Sequence, residues 1–253
     1  MHPILFSVNG FSVYTYGVLM ALAILLGMLW FSKRGTHIGL SSEAAYSSAF
    51  LIILFGLLGA RLWYLLYHPE WLMTPLKILT ERGGLVWYGG VIGGIIAALV
   101  IIKRKNYSLW GFGDAIILPL ILGLAIGRIG CFMTGCCFGE PCHLPWAVQF
   151  PPGHETFAQW VHPTQLYESL GAMVMIGLFL LWEKHKAYRA GQLFTMFLIG
   201  YGFLRFGIES LRADTVSVGI FSSSQWISLL SMLLGTLFFI VITFPRKIHQ
   251  AGA

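Results

Sequence analysis

The sequence predicts an all-α, polytopic membrane protein with seven transmembrane helices, its N-terminus outside and its C-terminus in the cytoplasm. Three observations carry that expectation. Of 253 residues, 57% are hydrophobic and 10% charged, and the mean hydropathy is +0.76; a soluble domain carries about 25% charged residues. Apolar runs recur at close to the roughly 20 residues that a bilayer-spanning helix needs. The cations are sorted along the chain in a way that alternating spans explain.

The runs lie at about 12–31, 43–67, 85–102, 112–126, 163–182, 192–210 and 221–244. The run at 112–126 is the shortest. No Lys or Arg precedes the first run, and that run is too long for a signal-peptide core, so it reads as a first span rather than a cleaved leader. Lys33 and Arg34, then Lys103, Arg104 and Lys105, then Lys184, Lys186 and Arg189, then Arg246 and Lys247 follow alternate runs. These ten of the 16 basic residues all fall on one side, which the positive-inside rule makes cytoplasmic. The other six, Arg61, Lys77, Arg82, Arg128, Arg205 and Arg212, fall near the opposite face. The net charge of +6 is therefore largely topogenic and does not point to nucleic acid.

No linker, low-complexity tract or internal repeat interrupts the chain, so residues 1–253 read as a single domain. Two outer loops stand out. Residues 68–84 carry Trp71 and Pro75, with Trp87 just beyond, as an interfacial segment does. Residues 128–162 form the longest loop, rich in Gly, Pro and Cys, and long ordered loops often carry function. The glycines Gly89, Gly90, Gly93 and Gly94 have the four-residue spacing that lets helices approach closely in lipid. They serve either helix packing or the wall of a site.

Arginine inside a bilayer is expensive and marks a functional site by default. Four arginine-bearing clusters fall toward the outer edge: Gly59-Ala60-Arg61, Gly127-Arg128-Ile129-Gly130, Tyr201-Gly202-Phe203-Leu204-Arg205 and Glu209-Ser210-Leu211-Arg212. They suggest a pocket for an anionic lipid head group. Tyr201, Arg205 and Glu209 are spaced by four and Arg212 follows by three, which puts them on one helix face. Arg205 and Glu209 can pair, lowering the penalty of burying either. The alternative is simple mutual neutralisation, or, for Arg212, snorkelling to water. Glycines flank Arg128, so backbone and guanidinium can both approach a phosphate, which a planar guanidinium binds bidentately. Glu168 lies more than a turn inside its span and needs a partner, an outer-end arginine being the natural one. Pro163 suits a first helical turn. His162 before it either caps that turn or belongs to the site.

Cys131, Cys136, Cys137 and Cys142 are the chain's only cysteines. Their C-x4-C-C-x4-C spacing is not the C-x2-C pairing of structural zinc sites, so no metal is expected. The outer side permits a disulfide among them, one involving Cys142 in particular. Otherwise they are small buried residues, or a thiol that takes the lipid transiently, for which no base is evident.

In order, Tyr16-Gly17, Gly59-Ala60-Arg61, Arg82-Gly83-Gly84-Leu85 with Gly89-Gly90, Gly127-Arg128-Ile129-Gly130, His162-Pro163-Thr164-Gln165-Leu166-Tyr167-Glu168, and Gly200-Tyr201-Gly202 leading to Arg205, Glu209 and Arg212 resemble the prolipoprotein diacylglyceryl transferases of bacterial inner membranes. The resemblance covers nearly the whole chain and implies a reaction. A diacylglyceryl group would move from phosphatidylglycerol to the thiol of the lipobox cysteine of a preprolipoprotein, at the outer leaflet with the site near the periplasmic side. It implies no cofactor, and its partners would be that lipid, that peptide segment and the bilayer; a monomer is the default expectation for the chain. Arg128, Arg205, Tyr201, Tyr88 and His162 would carry catalysis. Arg128, Arg61, Tyr16, Gly89, Gly90, Gln165, Glu168, Glu209 and Arg212 would contact substrate.

The chain departs from the family pattern at two places. Where the family usually carries Asn, a second Asn and Glu after Gly-Arg-x-Gly, this chain has Cys131, Thr134 and Cys136. Where the family usually has a His before the double Gly, a favoured base, it has Tyr88. The chain is either a cysteine-type branch of the same enzyme or a related transferase with another acceptor. A non-enzymatic lipid binder remains a third class. A transporter fits poorly, because its site is expected near the midplane, commonly between repeats.

Overall fold

A computed structural model describes residues 2–8, 11–68, 86–185, 188–215 and 217–244. Lys77, Arg82, Gly83, Gly84, Trp71, Pro75, Lys186, Arg246 and Lys247 lie outside the described residues. Helices dominate: α1 (Thr15–Gly35), α2 (Ser42–Tyr67), α3 (Trp87–Lys105), α4 (Leu109–Thr134), α5 (Thr164–His185), α6 (Gln192–Glu209) and α7 (Ser223–Thr243). Six of them, all but α6, are long and apolar enough to cross a membrane. Their outward leucines suit lipid: Leu62 is 63% and Leu233 66% exposed.

The helix ends follow local chemistry. Ser41 caps α2, accepting from the Ala44 amide. Ser222 and Gln225 form a capping box on α7. Lys33 and Arg34, Lys103 to Lys105, and Lys184 sit in the last turns of α1, α3 and α5, where the helix dipole favours cations. Arg189 donates to the carbonyls of Ile242 and Thr243 at the end of α7.

Helix α4 corrects one expectation. The run at 112–126 is in fact the middle of a 26-residue helix that continues past Arg128 to Thr134. It runs on through interior glycines and Pro119 because apolar surroundings leave backbone groups no better partner than the helix itself. The long loop accordingly begins at residue 135, and Arg128 lies two turns inside the helix. Three short antiparallel hairpins were also not foreseen: β1–β2 (Ile4–Val8, Phe11–Tyr14), β3–β4 (Val148–Gln149, Trp160–Val161) and β5–β6 (Ser217–Val218, Phe221–Ser222).

The chain forms two compact units. In the unit Met28–Ala115, α2 and α3 pack backbone to backbone. A Cβ on Gly89 would collide with the Gly59 carbonyl, and one on Gly93 with the Phe55 carbonyl. The glycine repeat thus serves helix packing. Phe31 and Phe112 meet edge to face at 5.5 Å in that unit's core. In the unit of Met1–Gly27 and Ile116–Ala253, α6 and α7 pack closely at Gly202 and Gly235. There Ser169 of α5 donates to the Ala125 carbonyl of α4 at 2.9 Å.

Candidate active site

Glu168 is the centre of the site. It sits one turn into α5 and is 1% exposed. A buried carboxylate must be paired, and three groups converge on it. Arg128 Nε of α4 lies 2.9 Å from Oε2, Arg205 Nη1 of α6 lies 3.3 Å from the same oxygen, and the Tyr201 hydroxyl donates to Oε1 at 2.8 Å. The expected arginine partner is there twice.

The network runs on from Arg205. Its Nη2 lies 2.6 Å from Glu209 Oε2 and 3.5 Å from Ser224 Oγ. Ser222, the cap of α7, donates to Glu209 Oε1 at 3.0 Å, so one hydroxyl both starts a helix and fixes a buried carboxylate. Helix α6 ends at Glu209, so Arg212 lies just beyond the helix. It grips Asp214 with two bonds of 2.9 and 2.7 Å, lies 4.0 Å from Glu209 and bears electrostatically on Cys137. Three cations and three carboxylates are thereby chained together. The carboxylates position the arginines; only the guanidiniums have the charge to receive an anion. Arg128 and Arg205 keep 18% and 16% of their side chains exposed.

Beside this network lies the turn after α4. Gly135 has φ +84°. The amides of Cys136 and Gly135 return to the carbonyls of Cys131 and Phe132 at 3.2 Å each, a Schellman ending that folds Cys136 back over Cys131. Three successive carbonyls are then held by side chains. His154 Nε2 meets Gly135 O at 2.9 Å, Gln165 Nε2 meets Cys136 O at 2.6 Å, and Thr164 Oγ1 meets Cys137 O at 2.8 Å. A carbonyl only accepts, so His154 carries its proton on Nε2 while Nδ1 accepts from the Thr156 amide. Cys137 is held at φ +65°, a region non-glycine residues avoid. Gly139 closes the turn: a Cβ there would lie 2.5 Å from Leu211 O and 2.6 Å from His162 Cβ.

A family profile described as prolipoprotein diacylglyceryl transferase matches residues 3–241. The chain belongs to the prolipoprotein diacylglyceryl transferase family. Among its curated relatives is the phosphatidylglycerol–prolipoprotein diacylglyceryl transferase of Clostridium tetani, 34% identical over 98% of this chain and 100% of the relative. The enzyme of the same name from Bordetella avium is 36% identical over 98% and 97%, and that of Acaryochloris marina is 33% identical over 93% and 88%.

In this member of the transferase family, the other candidate residues are distributed as follows. Tyr16 is 41% exposed and lies against Gly130, where an added Cβ would come within 2.9 Å of its ring. His162 is tied into the loop through both backbone groups, and its Nδ1 is 3.2 Å from the Tyr167 hydroxyl, which also accepts from Trp146. Gln165 is 1% exposed and donates to backbone; its Oε1 is buried with no hydrogen-bond partner among the described residues. Arg61, Tyr88, Gly89 and Gly90 belong to the other unit, where Arg61 lies 5.8 Å from the Tyr64 ring centre and Tyr88 packs edge to face on Trp87.

The cysteines are free thiols in this structure. The sulfurs of Cys131, Cys136 and Cys137 all lie within 4.8 Å of one another, an assembly the sequence spacing did not suggest. Cys137 is pushed down from the ordinary thiol range, first by hydrogen bonds from Cys131 and Cys136; burial opposes this, and Arg212 and Arg128 add to it. For Cys136, contact with Cys131 pulls downward, but hydrogen bonding to Cys137 and burial outweigh it, so its thiol is pushed up. Ser222, Ser224, Thr164 and His154 were not singled out from sequence. Of these, only Ser222, at the start of the last apolar run with Gln three positions on, left a readable signal.

Proposed function

We propose that this protein is a single-domain membrane transferase that moves a diacylglyceryl group from phosphatidylglycerol to the lipobox cysteine thiol of a preprolipoprotein, releasing glycerol phosphate. The observation that carries this reading is the buried Glu168 holding Arg128 and Arg205 together, in a chain of this family. The acceptor sulfur attacks the glyceryl CH2, the C–O bond to phosphorus breaks, and the thiol proton leaves to solvent or a base. The phosphate goes from one negative charge to two. Guanidiniums fixed beforehand favour the doubly charged product side and so lower the barrier, because they gain more from the transition state than from the ground state. Glu168 and Glu209 act through the arginines, and Tyr201 steadies Glu168. Tyr16 and His162 are proposed to contact lipid and peptide in the unit that holds Glu168, with Gln165 acting through the turn it supports; in the other unit Arg61 and Tyr88 are proposed to contact lipid, and Gly89 and Gly90 to act through the helix packing they permit.

The proposed setting is the bacterial inner membrane. Helix α6 would be the seventh span, carrying the site's polar groups at its outer end, with the N-terminus outside and the site near the periplasmic side. The basic last turns of α1, α3 and α5 support that orientation. A monomer suffices for the chemistry. The test is Arg128→Ala beside Arg128→Lys. Transfer should fall by at least about 100-fold in the alanine variant, the size of a lost transition-state donor, and recover only in part with lysine, which lacks the planar fork. Unaltered turnover in the alanine variant would remove the proposed phosphate role.

A further inference from the structure

From the packing of Cys131, Cys136 and Cys137, we propose a binding site for one thiophilic divalent ion of zinc's class, whose open fourth position receives the acceptor thiol. The functional half of this rests on the transferase reading above; the metal half does not.

The geometry is that of three soft ligands around one point. The three sulfurs lie within 4.8 Å of one another. Zn–S bonds of about 2.3 Å in tetrahedral array need sulfurs about 3.8 Å apart, so small rotations of three short side chains complete the set. The turn that carries them is braced as a ligand loop should be. Its three carbonyls are held by His154, Gln165 and Thr164, and Cys137 is kept in a left-handed conformation that a non-glycine residue adopts only when its surroundings impose it. Thr134 Oγ1 lies 3.7 Å from Cys136 Sγ, an outer-shell donor to a metal-bound sulfur.

Charge fits as well. Three thiolates and a divalent ion sum to one negative charge, and Arg212 and Arg128 bear electrostatically on the trio. Three protein ligands with a fourth position open is the pattern of a working rather than a structural zinc site. Cys136 is exposed, so that position is reachable. Cys142 lies in the segment before β3, its amide donating to the Trp160 carbonyl, and is not part of the set.

The chemistry required of the acceptor matches. A thiol that coordinates the ion gives up its proton to solvent as the S–metal bond forms. The bound sulfur then forms the S–C bond while the C–O bond to the phosphate breaks, and the leaving group departs with the electron pair toward Arg128. The product thioether, a weaker ligand than thiolate, leaves the ion.

The full-length protein, purified in detergent under reducing conditions and incubated with Zn2+, is to be measured for metal per chain by mass spectrometry. One ion per chain is expected. It should persist in Cys142→Ser and be lost in Cys136→Ser and in the triple Cys131→Ser, Cys136→Ser, Cys137→Ser variant; Cys136, being exposed, can be changed without disturbing packing. With Co2+ as probe, thiolate-to-metal charge-transfer absorption should appear, and a lipobox peptide with cysteine, but not with serine, should shift the d–d bands. Equal metal in wild-type and triple-variant protein would overturn the site. Full transfer by chelator-stripped protein would overturn its role in thiol activation and leave the transferase reading standing. Metal binding with no transfer to any lipobox peptide would do the reverse.

Discussion

Replacing Glu168 with glutamine removes one charge and almost no volume from the middle of the network. The carboxylate is 1% exposed and receives Arg128 at 2.9 Å, Arg205 at 3.3 Å and Tyr201 at 2.8 Å. The amide keeps one acceptor, which can still serve Tyr201 or one guanidinium, but its NH2 group faces a second donor. Two charge-assisted bonds at about 1.5–3 kcal/mol each are weakened and one neutral bond near 1 kcal/mol is retained. The net is about 3–5 kcal/mol, the size seen when one partner of a buried ion pair is removed. For a chain of this size that corresponds to a fall of about 6–20 °C in Tm. Thermal unfolding of detergent-solubilised Glu168→Gln against wild type measures it directly. Because the same oxygen orients both arginines, transfer should fall with stability, by about two decades for each ~3 kcal/mol lost from the transition state. A variant that unfolds within about 2 °C of wild type and transfers at the wild-type rate would refute the claim that Glu168 organises the site.

Other outcomes follow from single contacts. Gly139→Ala places a methyl 2.5 Å from Leu211 O and 2.8 Å from Thr164 Cγ2; overpacking of about 1–3 kcal/mol should lower the melting temperature, and an unchanged melting curve would contradict the described turn. Cys137 should stay reactive toward iodoacetamide at pH 6, where an ordinary thiol near 8.5 is almost wholly protonated, because its depressed value keeps the thiolate as pH falls; labelling that drops in step with a free cysteine peptide would show otherwise. Asp214 is 52% exposed, so Asp214→Asn should change stability by less than about 1 kcal/mol despite its two bonds to Arg212, measured by the same unfolding assay.

Much of this was legible in the sequence, for physical reasons. A helix in lipid must be apolar over its length, so each run marked a helix among the described residues with ends good to a few residues, α4 excepted, and six of these helices are long and apolar enough to cross a membrane. An intramembrane carboxylate needs a cation, which pointed Glu168 to an arginine and paired Arg205 with Glu209. The extent of α4 was hidden because Gly127, Gly130 and Gly135 look alike in sequence. Only the last, at φ +84°, ends the helix. The thiol trio was hidden for the same reason. Spacing rules count residues along the chain, whereas the Schellman ending brings Cys136 back onto Cys131. Gln165 read as a substrate contact and Thr164 only as part of a motif, and the turn's carbonyls that they hold had no sequence signature at all.

The central claim is tested most directly by incubating the purified protein with phosphatidylglycerol and a synthetic lipobox peptide and reading the peptide by mass spectrometry. The account predicts a mass gain of one diacylglyceryl group on the cysteine, absent when that cysteine is serine and absent with Arg128→Ala. A folded protein that leaves the peptide mass unchanged would contradict it and direct attention to a different acceptor.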